Sequence, residues 1–294
     1  MNYRTLVALF ITVASLSAQA EQRWFEVELL IFERNAEIDD INEHLSSDKI
    51  SIDTENSISL LEPIRTSICI EGETCLSKEN PTIITGSVFD SEGNNFQRLD
   101  KSRLQLVKQR EKLQRHASFE PVFHMAWRMP VKGPQASKPI HLFAGENLAF
   151  NIQKRLLENI SLQSSDAVAT ELSDGEAISL ITDKWAIDGN FKVYLNHYLF
   201  IDTQLVIRKE ITEDIKQPDP IVVEVIDDEN GVQIATQSEQ AVVTEVKQQT
   251  VIKEILFDQN RRLRSEEVHY LDHPLMGIIV QIRKIPKVER KEEL

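Results

Sequence analysis

Trp185-Ala186-Ile187-Asp188-Gly189-Asn190-Phe191-Lys192-Val193-Tyr194-Leu195-Asn196-His197-Tyr198-Leu199-Phe200-Ile201-Asp202-Thr203-Gln204-Leu205-Val206-Ile207-Arg208 is the stretch from which the fold can be read. Side chains of an extended chain alternate between two faces. Ile187, Gly189, Phe191, Val193 and Leu195 share one face, and Leu199, Ile201, Thr203, Leu205 and Ile207 repeat the pattern. Asn196-His197 interrupts the alternation with residues suited to a tight turn. The stretch therefore predicts a β-hairpin with one buried face.

The same period recurs on both sides. In Trp24 to Phe32, Phe25, Val27, Leu29 and Ile31 lie on one face and Glu26 and Glu28 on the other. In Pro121 to Met129, Phe123, Met125, Trp127 and Met129 oppose His124 and Arg128. Thr250 to Asp258 and the alternating set Met276, Ile278, Val280 and Ile282 give two more strands. Gln97 to His116 reads as a helix, with Leu99, Leu106 and Leu113 spaced by seven on a charged background. Gly145 to Ile160 is a second helix candidate, and Asn260 to His273 reads as a charged loop. Glu210 to Glu245 holds ten acidic residues, one Lys and the breaker Pro218-Asp219-Pro220, the composition of an acidic excursion. These elements predict an α+β fold: a mainly antiparallel sheet, one or two packing helices and a long acidic insertion at about residues 210–246. Residues 21–285 are expected to form a single domain, with 286–294 a charged tail.

The beginning of the chain carries an address. Arg4 is followed by an almost wholly apolar run from Leu6 to Leu16, then Ala18-Gln19-Ala20 with small residues where a signal peptidase reads, then the charged Glu21. That is the layout of a cleavable signal at residues 1–20; the run is far shorter than the roughly 20 residues a bilayer core requires. Cleavage after Ala20 would deliver the chain to the periplasm. Cys69 and Cys75 are the two cysteines. In an oxidising compartment such a close pair is most simply a disulfide, here one that ties off the loop from Ser67 to Ser77 and contributes roughly 2 kcal/mol. The 294-residue chain carries 33 basic and 47 acidic side chains, a net charge of −14. Nucleic acid and anionic lipid are poor partners for that balance.

Chemistry-bearing motifs are sparse. The chain has no G-x-x-x-x-G-K-[ST], G-x-G-x-x-G or G-x-S-x-G pattern and no S-x-x-K. His269-Tyr270-Leu271-Asp272-His273 offers two imidazoles and a carboxylate that can ligate zinc if other ligands converge; its plainer reading is a polar turn. Glu266-Glu267 and Asp227-Asp228-Glu229 lie in charged surroundings and read as solvated surface. Arg261, Arg262 and Arg264 form the dense basic patch of an acidic chain. Guanidinium groups match carboxylates bidentately, so this patch is a candidate ligand contact, with a salt-bridged loop as the alternative. Trp127, Trp185, Tyr194 and Tyr198 can stack on sugar rings, although aromatic residues in strands are more often core.

Two of these stretches carry a resemblance. Ile187 to Phe200, a Gly-containing strand running into Tyr194-Leu195-Asn196-His197-Tyr198-Leu199-Phe200, resembles a family pattern in which the turn reads "YLNRYLH". Arg261 to Gly277, an Arg-rich segment leading into His269-Tyr270-Leu271-Asp272-His273-Pro274-Leu275-Met276-Gly277, resembles the same family's "HYxDHPLxG" signature. With the opening strand Trp24 to Phe32, they resemble the CsiV family of periplasmic peptidoglycan-binding proteins of Gram-negative bacteria. His197 and Phe200 depart from the pattern, standing where Arg and His are expected.

The resemblance implies a non-enzymatic accessory protein without cofactor. It implies peptidoglycan as ligand, and a class A penicillin-binding synthase with its outer-membrane lipoprotein activator as partners. Arg261, Arg262, Arg264, His269 and Tyr270 are the candidate ligand-binding residues, where the specific motif and the carboxylate-matching chemistry coincide. Two other classes stay open at this stage: a metal-dependent wall hydrolase or amidase, and a periplasmic interaction scaffold without wall affinity whose acidic excursion docks a basic partner.

Overall fold

The computed structural model describes residues 23–36, 50–61, 79–90, 93–152, 154, 183–215 and 247–285. The expected signal at residues 1–20, the expected Cys69–Cys75 disulfide, residues 216–246 of the acidic stretch and residues 286–294 lie outside them. Twelve strands are described: β1 (Arg23–Arg34), β2 (Ile58–Ser59), β3 (Ile83–Ile84), β4 (Val88–Phe89), β5 (Gln97–Arg98), β6 (Phe119–Val131), β7 (Ile140–Asn147), β8 (Trp185–Asn196), β9 (Tyr198–Ile215), β10 (Lys247–Leu263), β11 (Val268–Asp272) and β12 (Met276–Lys284). They build two sheets. The first has the order β11-β12-β1-β6-β5-β4, with β3 also paired to β6; the second runs β10-β9-β8-β7-β2. Only the short β2–β7 and β3–β6 pairs are parallel among the registers described, so the pairing is mainly antiparallel as the sequence predicts, but in two sheets rather than one.

The alternation places the core. Val27 is paired with Trp127 and Ile282, Leu29 with Met125 and Val280, and Ile31 with Phe123 and Ile278. All of these are buried. From the second sheet, Ile187, Phe191, Val193, Ile201, Leu205 and Ile207 are also buried. The two layers meet where Trp127 packs edge-on against Phe191 at 5.8 Å and Phe257 against the His273 ring at 5.8 Å. At about 25 cal/mol per Å² of apolar surface removed from water, this shared layer is the main stabilising term.

Glu26 and Glu28, read from the sequence as a solvated face, are buried. The segment from Leu99 to Gln114 covers that side of the first sheet. The Glu28 carboxylate accepts hydrogen bonds from the Gln105 and Leu106 backbone N–H groups at 2.8 and 2.7 Å, and it is held by His124 Nε2 at 2.9 Å and by Arg283. Glu26 pairs with Arg103, Arg128 and Arg283. A carboxylate survives burial only with such partners.

The helix expected over Gln97 to His116 is correspondingly broken up. Gln97–Arg98 is β5, Lys101–Arg103 a 3-10 turn and only Val107–Gln114 is helical (α1). Residues 148–152 and 154 are helical, within the second helix candidate, whereas Gly145 to Asn147 belong to β7.

The chain divides into two compact units, residues 1–208 with 254–294, and Lys209–Lys253. Within the second unit Lys253 Nζ lies 2.7 Å from Glu213 Oε1. Strand structure reaches Ile215 on one side and resumes at Lys247 on the other, so the expected interruption from Glu210 to Glu245 starts too early.

Candidate functional site

Asn260 to His273 is not a loop. Asn260 to Leu263 ends β10, residues 264–267 turn, and Val268–Asp272 is β11. The connection carries the chain from the edge of the second sheet to the edge of the first. A strand ending in Arg261 and Arg262 must place them on opposite faces, so the three arginines do not converge. Arg264 lies in the turn, 3.7 Å from Glu267 Oε1. Arg262 places its guanidinium 4.5 Å from the centre of the Tyr198 ring.

The "HYxDHPLxG" stretch forms a lock. His269 Nε2 lies 3.2 Å from the Arg264 N–H and 3.0 Å from the Arg264 carbonyl oxygen, pinning the turn. The Tyr270 ring stacks on Phe32 at 6.2 Å and 6°. Its hydroxyl accepts from Arg34 at 2.6 Å and donates to Asp272 at 2.6 Å, while Arg34 also pairs with Asp272. Burial, then the hydrogen bond to Asp272, hold the phenol above its ordinary pKa. His273 Nδ1 accepts from the Leu275 N–H at 3.1 Å. Tyr270 and His269 thus face different surroundings from Arg262, and His273 is buried. Among the described residues no group of three His, Cys, Asp or Glu is placed to hold a metal ion.

The outer face of the second sheet shows what the sequence reading missed. At one end, residues 50–61 lie across it: Ser57 Oγ donates to Asn190 Oδ1 at 2.6 Å, and Asn190 donates to the Asp53 carbonyl at 2.7 Å. Beneath that segment Asp188 meets His141 at 2.8 Å and Arg208 at 3.3 Å, and Arg208 meets Glu254 at 2.8 Å. Burial acts to raise the Asp188 pKa. The hydrogen bond and charge of His141, then Arg208, outweigh it and hold the carboxyl below its ordinary value. Asp188, His141 and Arg208 line a cavity of about 200 Å³ with Ile50, Ile52 and Thr54.

Toward the hairpin tip the face carries aromatic side chains. Tyr194 on β8 pairs across the ladder with Phe200 on β9, and their rings stack at 5.3 Å and 8°. Asn260 of β10 donates to the Tyr194 hydroxyl at 3.0 Å. Lys192 Nζ lies 5.8 Å from the Tyr194 ring centre. Tyr198 is 56 % exposed. So Trp127 and Trp185 are core, whereas Tyr194 and Tyr198 face outward beside Lys192, Phe200, Asn260 and Arg262. The signal was present: the alternation that buries Val193 and Leu199 must turn Lys192, Tyr194 and Phe200 the other way.

No helix among the described residues is long and apolar enough to cross a membrane. No curated protein and no solved structure matches the chain. A family model described as "Peptidoglycan-binding protein, CsiV" matches residues 3–285, nearly the whole chain, in agreement with the resemblance carried by the two motifs. The chain belongs to the CsiV family of peptidoglycan-binding proteins.

Proposed function

We propose that this protein is a non-enzymatic peptidoglycan-binding accessory of the periplasm, delivered there by its cleavable signal. Family membership over residues 3–285 is the observation that carries wall binding. The β10–β11 connection is the proposed contact region. Arg261 and Arg262 offer carboxylate-matching guanidinium groups on the two faces of the strand end and Arg264 one in the turn, and His269 and Tyr270 hold that turn and the strand after it. Neither Arg261 nor Arg262 has a carboxylate partner among the described residues. An arginine kept unpaired on a chain of net charge −14 is available to an external anion.

Replacing Arg261, Arg262 and Arg264 together with Gln is expected to weaken binding to washed sacculi while the melting temperature stays within a few degrees. Unchanged sedimentation would overturn the assignment. The accessory role extends this reading: bound to the wall, the protein supports polymerisation by a class A penicillin-binding synthase and its outer-membrane lipoprotein activator. Adding it to a reconstituted synthase–activator assay is expected to raise the rate of glycan polymerisation. An unchanged rate across a concentration series would remove the accessory role and leave wall binding standing.

A further inference from the structure

We propose that the hairpin-tip end of the second sheet's outer face, built from Lys192, Tyr194, Tyr198, Phe200, Asn260 and Arg262, binds a wall sugar together with a carboxylate of the peptide attached to it. The inference rests on the wall-binding reading and names the surface that performs it.

Three observations carry it. Tyr194, Phe200 and Tyr198 stand on the side of the sheet opposite the core, Tyr198 exposed and the other two half-buried, and among the described residues the segment 50–61 contacts the far end of that side. These aromatic side chains, with a hydroxyl positioned by Asn260, have the amphipathic character that suits contact with a sugar, whose C–H face is apolar and whose rim is polar. The second observation is the Arg262–Tyr198 stack at 4.5 Å. Stacking engages the flat face of a guanidinium and leaves its N–H groups in the plane, directed outward. Arg262 has no hydrogen bond or ion pair among the described residues, so its N–H groups are left for an external acceptor. The third is charge. Lys192 and Arg262 place two cations on this face, where Asp202 is the cross-strand neighbour of Lys192 and Arg262 stands without an ion pair among the described residues. Adjacent strands lie about 4.8 Å apart, so β8 to β10 spans roughly 10 Å, room for a disaccharide across the strands. A ring resting on Tyr198 and the Tyr194–Phe200 pair would bring a neighbouring carboxylate to Arg262, with Lys192 on its other side.

The test is co-sedimentation of the chain from Glu21 onward with washed sacculi. Tyr198→Ala and Arg262→Lys alter exposed side chains and are expected to melt as the unaltered protein does, while lowering affinity about tenfold each, the effect of losing one good contact. Tyr198→Phe, which keeps the ring, is expected to bind normally and guards against a folding artefact. A soluble disaccharide-peptide fragment of the wall should displace the protein, and uncharged chitobiose at the same concentration should not. If the unaltered protein pellets and both variants pellet equally well, this surface is wrong and wall binding stands. If the unaltered protein stays in the supernatant, the wall-binding reading and this surface fall together. Equal displacement by chitobiose would overturn the carboxylate assignment to Arg262.

Discussion

Gly277 lies beneath the Phe32 ring. The two are paired across β1 and β12, and a Cβ at position 277 would overlap that ring and fall 2.9 Å from Tyr270 Cε2. The last glycine of the signature is therefore required by space, since the Phe32–Tyr270 stack passes over it. Gly277→Ala is expected to destabilise the fold by about 1–3 kcal/mol, the usual effect of overfilling a packed contact. Phe32→Leu in the same chain should recover part of the loss. Urea denaturation of the single and double variants checks both statements.

The Glu28 carboxylate sets an acid limit. Burial acts to raise its pKa; hydrogen bonds from His124, the Leu106 N–H, Arg283 and the Gln105 N–H outweigh that and hold it below the ordinary 4.5. A carboxyl depressed on folding contributes stability that is complete above its unfolded value and lost as pH falls through its folded value. The melting temperature is therefore expected to decline below pH 4.5. Glu28→Gln should cost about 3–5 kcal/mol at neutral pH, because it leaves Arg283 buried with its main partner gone, and should flatten that acid decline. A melting series from pH 7 to 3 is the measurement.

Arg208 joins Asp188 to Glu254 beneath residues 50–61. Arg208→Leu leaves both carboxylates without their guanidinium and is expected to cost about 3 kcal/mol. The Asp188 carboxyl should move back up toward its ordinary value, observable by NMR titration. Replacing Glu254 by Leu as well should restore part of the stability.

Tyr270→Phe removes a hydroxyl that links Arg34 to Asp272 and keeps the ring over Gly277. A loss of about 1 kcal/mol is expected in thermal or urea unfolding, with sacculus binding retained. Loss of binding at unchanged stability would instead make Tyr270 a direct wall contact.

The strands were legible because each shows the two-residue period of a half-buried sheet. The register confirms the shared faces of Phe25 to Ile31, Phe123 to Met129 and Met276 to Ile282, and the turn at Asn196-His197 joins β8 to β9. What escaped the sequence depends on distant partners. Glu26 and Glu28 fit the solvent-facing half of a period, yet Arg103, Arg283 and His124 neutralise them inside. The same contacts explain the broken helix, since the N–H groups of Gln105 and Leu106 are taken by a carboxylate 77 and 78 residues away rather than by a helical turn.

The candidate site was legible in part for a similar reason. Composition drew attention to Arg261, Arg262 and Arg264, but the period that continues through Phe257 and Leu263 splits them between faces. The sequence marks Tyr194 and Tyr198 as able to stack but not the neighbours that make them a surface, because Asn260 and Arg262 reach them through the β9–β10 pairing.

Sedimentation of the purified chain from Glu21 to Leu294 with washed sacculi, with the supernatant scored for released muropeptides, decides whether the protein binds the wall and leaves it intact. The protein is expected to pellet with the sacculi and to release nothing. Protein remaining in the supernatant would contradict wall binding, and fragments appearing there would contradict a non-enzymatic role.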